Sequence, residues 1–114
     1  MIAQRIQLSR RREWRMPPNT VKVDRSTKWG NPFRIGELAL HPMTRKAVDV
    51  STAEIAVDLF EIHLRTNDGA QLAEAAQSEL RGKNLACWCK SGHTCHGDVL
   101  LRIANIPTRL KRAA

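Results

Sequence analysis

The chain has 114 residues, 42% of them hydrophobic and 26% charged, with a net charge of +8 and a pI near 10.3. That size suits one α/β-sized domain, 1–114, with a modest core and basic N- and C-terminal ends. No apolar run approaches the ~20 residues of a membrane span, and MIAQRIQLSRRREWR lacks the apolar stretch of a secretory signal, so the expected setting is the cytoplasm and not a membrane.

The positive charge gathers at Arg5, Arg10, Arg11, Arg12 and Arg15, and again at Arg109, Lys111 and Arg112. Such a field attracts polyanions, namely nucleic acid, nucleotides or phosphorylated metabolites. In a reducing compartment the 3 cysteines argue for metal, reactive or core roles rather than a disulfide framework, and an odd number leaves one unpaired.

In chain order, RIQLSR (5–10) alternates with Ile6 and Leu8 on one face and predicts a strand. Pro17 and Pro18 mark a turn, and TVKVDR (20–25) predicts a second short strand. STKWGNPF (26–33) reads as a loop with a tight Gly-Asn-Pro turn. Residues 34–50 read as a long connection, with a further strand hidden in FRIGEL, 33–38. Ser51 and Glu54 form an S-x-x-E capping box that opens a helix through residue 66, closed by Asn67-Asp68-Gly69. AQLAEAAQSEL (70–80) predicts a second helix, Leu85 to Cys89 a strand buried on both faces, and 95–105 an amphipathic helix. The order β-β-(β)-α-α-β-α predicts an α/β fold, a small sheet covered by helices.

The stretch LACWCKSGHTCHGD, 85–98, holds all three cysteines. A strand through Cys89 places Leu85, Cys87 and Cys89 on one face, with Cys89 at its carboxyl end. Cys95 and His96 then open the next helix, beside the crevice where open α/β sheets bind ligands. Unpaired N–H groups there favour an anion, and a thiol there has its pKa lowered. Three readings stay open. The first is a metal site from Cys87, Cys89 and Cys95 with His96 or His93. The ligand types suit zinc, but C-x-C-x5-C-H is not a common spacing. A strand would also hold Cys87 and Cys89 about 7 Å apart, against at most about 4.6 Å between two sulfurs on one zinc. Zinc is therefore a candidate that the spacing does not favour. The second is nucleophilic or acid–base chemistry by Cys95, His96 and Asp98, although neighbours on a helix do not face each other. The third is structural: buried cysteines, Thr94 as helix cap, and Asp98 complementing the dipole.

DRSTKWGNPF, 24–33, is the other informative segment. Arg25 and Lys28 suit phosphate, Trp29 can stack on a base, Gly30 lets backbone approach a ligand, and Asn31 can read a base edge. The bland alternative is a tight turn with Trp29 and Phe33 in the core.

Together, VDRSTKWGNPF and LRGKNLACWCKSGHTCHGDVLLRIAN resemble a small family of phage and bacterial domains of unknown function. Its marks are a GRxSxWGNPF-like segment and a G-K-x-L-x-C-W-C…CH-x-D-x-L segment. The likeness runs from about residue 5 to 105. Asp24 stands where the family usually shows glycine, which argues against a very close backbone–phosphate approach there. The CH pair is also similar to that of another small family with a C…CHR signature. The resemblance supplies no reaction; it implies that the two motifs form two walls of one pocket, in the host cytoplasm if the chain is phage-encoded.

The expected function is binding or processing of a nucleotide, a modified base or a nucleic-acid end. Arg25, Lys28, Trp29, Gly30, Asn31 and Cys89 form the ligand set, and Cys95, His96 and Asp98 serve any chemistry. The alternatives are a zinc-stabilised nucleic-acid-binding module without catalysis and a phage-type protein that binds a host macromolecule, protein or nucleic acid, through its basic ends.

Overall fold

The computed structural model describes residues 3–90 and 93–106. The basic terminal group Arg109, Lys111 and Arg112 lies outside the described residues. The α/β class holds, in the order β1 (Arg5–Gln7), β2 (Thr20–Lys22), β3 (Leu38–Leu40), β4 (Ala47–Asp49), α1 (Ala53–Arg65), α2 (Asn67–Glu79), β5 (Asn84–Cys87) and α3 (His96–Ala104).

The principal sheet runs β1-β5-β2, and both pairings are parallel. Arg5 to Gln7 face Leu85 to Cys87 on one side of β5, and Thr20 to Lys22 face Asn84 to Ala86 on the other. The ladder continues one step beyond the strands: Leu8 N–H donates to Cys87 O at 2.7 Å and Val23 N–H to Ala86 O at 2.8 Å. All three strands thus end at one edge, with Asp24 and Trp88 just past it. As expected of a central parallel strand, β5 is apolar and buried at Leu85, Ala86 and Cys87. The helices pack against one another, with α3 on β5 and β1. The main core joins Val23, Trp29, Phe60, Leu64, Leu80, Leu85, Val99 and Leu100.

The segment 34–50 departs from the expected connection. It holds an antiparallel hairpin, β3–β4, with Leu38 opposite Asp49 and Leu40 opposite Ala47, and the extra strand starts at Leu38, the last residue of FRIGEL, and runs on beyond it. Its periodicity misleads because Leu38 and Leu40 face solvent while small Ala39 and Val48 pack on Val50, Ala56 and Leu59.

Two helix boundaries also differ. Thr52, not Ser51, caps α1, its Oγ1 accepting from Ile55 N–H at 3.2 Å. Asn67-Asp68-Gly69 opens α2 instead of ending α1, because the chain turns at Thr66 and starts the second helix directly. Only glycine fits at 69: a Cβ there would lie 2.1 Å from the His63 carbonyl oxygen, so α2 begins in direct backbone contact with the end of α1. No helix among the described residues is long and apolar enough to cross a membrane.

Candidate functional site

β5 stops at Cys87, and the chain bends at Trp88 and Cys89 instead of continuing extended. This early end removes the 7 Å separation expected of a longer strand. The sulfurs of Cys87, Cys89 and Cys95 all lie within 4.8 Å of one another, and Cys87 and Cys95 approach to 3.1 Å. Cys87 and Cys95 are buried, and Cys89 is half-buried.

Cys95, rather than Thr94, is the N-cap of α3 and accepts from Gly97 N–H at 3.4 Å. The charge distribution among the thiols also differs from the expectation of an acidic Cys95. Hydrogen bonds from the Cys89 and Cys95 thiols, aided by the Cys89 backbone and Arg5, hold Cys87 well below the ordinary thiol pKa. Donation to Cys87 pushes Cys95 up, and Cys89 is raised by the same partner. Cys87 is thus the thiol of the group that ionises most readily.

His96 is buried, and its Nε2 lies 2.7 Å from the Val23 carbonyl oxygen. A carbonyl only accepts, so Nε2 carries the hydrogen, and in the neutral ring Nδ1 presents a lone pair. That Nδ1 lies 3.8 Å from Cys95 Sγ. The Phe60 ring meets the imidazole edge-on at 5.7 Å. His96 thus links the end of β2 to the cysteine corner. Asp98 does not join Cys95 and His96 as a third member of a triad: it turns to Arg5, whose Nε lies 3.2 Å from Oδ1.

Arg5, which the sequence offered only as part of a basic end, is the hub beneath the corner. Its guanidinium donates to the carbonyls of Cys89 at 3.5 Å, Lys90 at 3.1 Å and His93 at 3.0 Å, and stands 3.9 Å from Cys87 Sγ. It fixes both sides of the loop that carries Cys89 toward Cys95. Nothing in RIQLSR could reveal this, because the role depends on β1 lying beside β5.

A cavity of about 450 Å³ opens over the cysteines. Both motif segments line it: Asp24, Arg25 and Asn31 from the first, the three cysteines, Trp88 and His96 from the second. Of the ligand set expected from 24–33, Lys28, Trp29 and Gly30 do not line it. Lys28 pairs with Glu79 at 2.9 Å and covers the Trp29 ring, and Trp29 is a core residue, 4% exposed. Gly30 does serve a close approach, but to its own chain: a Cβ there would lie 2.7 Å from Arg25 Cα. Asn31 is a clamp, donating to Ala56 O at 3.0 Å and accepting from Phe33 N–H at 2.9 Å.

The exposed aromatic wall is Trp88, which an alternating strand had placed away from the cysteines. Asp24 accepts its indole N–H at 3.0 Å and the Ser26 hydroxyl at 2.6 Å, with Lys22 Nζ at 3.7 Å. The signal for Asp24 was its D-x-S turn chemistry. Burial alone would push its pKa up; the bonds from Ser26 and Trp88 and the charge of Lys22 outweigh that and hold it below the ordinary carboxylate value. A depressed folded pKa gives stability that is full above the unfolded value and lost as pH falls through the folded one. Asp24→Asn is therefore expected to cost about 1–3 kcal/mol at pH 7 and distinctly less near pH 3. Urea melts of both proteins at the two pH values check this, and an equal deficit at both would contradict it.

Neither the curated proteins nor the solved structures yielded a match. A family model does match, over residues 6–106, under the description "Domain of unknown function (DUF4326)". It takes in both motif segments and the whole of the cavity they line, and the chain belongs to this family of domains of unknown function.

Proposed function

We propose that the domain binds a nucleotide-type ligand, free or as the end of a nucleic-acid strand, in the cavity between the 24–33 loop and the start of α3. The observation that carries this is the convergence of two segments some sixty residues apart on one cavity, at the carboxyl edge of three parallel strands. Ligands of open α/β sheets bind at such edges. The volume lies within the range of about 300–1,000 Å³ typical of small-molecule sites.

Each part of a nucleotide has a matching group. Trp88 offers an exposed ring for a base, and Arg10 already lies 4.5 Å over that ring, as a cation beside a stacking platform. Arg25 is exposed at the rim with no protein partner among the described residues, which leaves its fork for phosphate. The α3 start is less available, since Gly97 and Asp98 N–H groups already donate to Cys95. The chain's charge of +8 draws such ligands in.

The test is a titration with nucleoside monophosphates and a short single strand, followed by tryptophan fluorescence and calorimetry. Saturable binding is expected. Arg25→Ala should weaken it about tenfold, the loss of one charge-assisted contact, without changing the melting temperature. No binding up to millimolar ligand, or full affinity in both Arg25→Ala and Trp88→Ala, would refute the reading.

A further inference from the structure

We infer that Cys87, Cys89 and Cys95 bind one zinc ion, with the fourth coordination position facing the cavity. On a tetrahedral zinc with Zn–S bonds of about 2.3 Å, ligand sulfurs stand about 3.8 Å apart. The three sulfurs here fall within 4.8 Å of one another before any ion is placed. The Cys87–Cys95 pair, at 3.1 Å, must open slightly. Sulfurs this close suit a single ion.

Two further observations support a metal centre over three ordinary core thiols, and one chemical rule points to the ion. First, the corner is built from rigid parts: Cys87 ends a buried central strand, Cys95 caps a helix, and the loop bearing Cys89 is fastened by Arg5 through three carbonyls. Second, three thiolates and one Zn²⁺ leave a single negative charge, and the guanidinium of Arg5 stands 3.9 Å from Cys87 Sγ to meet it. As for the ion, thiolates select soft or borderline ions such as zinc over magnesium, calcium or manganese.

All three cysteines are among the residues that line the cavity, which puts the ion's remaining face on that side. Three protein ligands and one open position are the pattern of zinc sites that take water or a ligand atom, whereas structural sites close with a fourth protein ligand. His96 Nδ1 is near Cys95 alone, outside the mutually close set, and serves the site by tying α3 to Val23. As the ion binds, the remaining thiol protons pass to solvent. The statement that a ligand atom takes the fourth position rests on the nucleotide reading; zinc binding itself does not.

The experiment uses the untagged full chain, reduced, stripped with chelator and reloaded with zinc. Native mass spectrometry and elemental analysis are expected to show one zinc per chain. Alkylation should label none of the three thiols in the loaded protein and all of them after chelation. Cobalt in place of zinc should give the intense near-ultraviolet thiolate bands and visible bands of a tetrahedral site. Cys89→Ala, the variant least able to disturb the core because Cys89 is only half-buried, should lower zinc affinity at least a hundredfold. Failure of the reduced chain to take up zinc, selective uptake of copper instead, or full zinc affinity in Cys89→Ala would overturn the proposal. Nucleotide binding without zinc uptake overturns the metal centre and spares the pocket reading. Zinc uptake without nucleotide binding upholds the centre and refutes the pocket reading.

Discussion

Phe60→Ala is expected to lower stability by about 3–5 kcal/mol, the usual penalty for emptying an aromatic site in a packed core. Phe60 is fully buried, belongs to the main core, and lies edge-on to the His96 ring. Truncation therefore opens a cavity beneath the imidazole that bridges Val23 and Cys95. Domains hold only about 5–15 kcal/mol in total, so the variant should be marginal at 37 °C. Urea denaturation at 25 °C measures the loss as a shift in midpoint. Phe60→Leu, which keeps most of the volume, should lose less than about 1.5 kcal/mol. A loss below 1 kcal/mol in the alanine variant would mean that the site collapses freely, contrary to its placement on the buried face of α1 against the His96 ring.

Arg5→Ala is the second large effect, expected at about 2–4 kcal/mol because hydrogen bonds to a charged group contribute about 1.5–3 kcal/mol and several share this side chain. The Arg5 side chain is 11% exposed and meets the carbonyls of Cys89, Lys90 and His93 and the carboxylate of Asp98. Lysine keeps the charge but has no fork to span these acceptors, so Arg5→Lys should recover less than half of the loss. The local consequence separates Arg5 from a plain packing residue. Amide hydrogen exchange should rise in the loop leading to Cys95 more than in α2, and the Cys89 thiol should alkylate faster. Uniform exchange across the chain in the alanine variant would reduce Arg5 to a surface-type ion pair.

The secondary structure was readable where one pattern dominated. The apolar run from Leu85 and the stripe of Val99, Leu100 and Ile103 pointed to β5 and α3, although β5 stops at Cys87, short of Trp88 and Cys89. The hairpin was not readable, because its larger side chains face outward and small ones face the core. The convergence of the two motif segments on one cavity was foreseen; which side chains face it was not. Trp88 left its expected face because β5 ends at Cys87, two residues early, while Trp29 took the core place that the plain-turn reading offered. Arg5 could not be found, since its partners lie more than eighty positions away and alternation along β1 says nothing of the neighbouring strand. The same two residues of strand length decide the cysteine geometry: extended backbone through Cys89 would have held the sulfurs apart.

The parallel β1-β5-β2 order also governs how the chain can assemble. Among the described residues β1 and β2 do not pair with each other as strands; each pairs with β5, from the last third of the chain. The nearest local structure, α1 with α2 and the β3–β4 hairpin, can form from sequence neighbours, but β1 and β2 have no central strand to join until Asn84–Cys87 arrives. Long-range parallel pairing closes large loops before it is rewarded and slows folding. Neither edge strand can join the sheet before the central strand, so the sheet is expected to form after the local helices, and the cysteine corner at its edge with it.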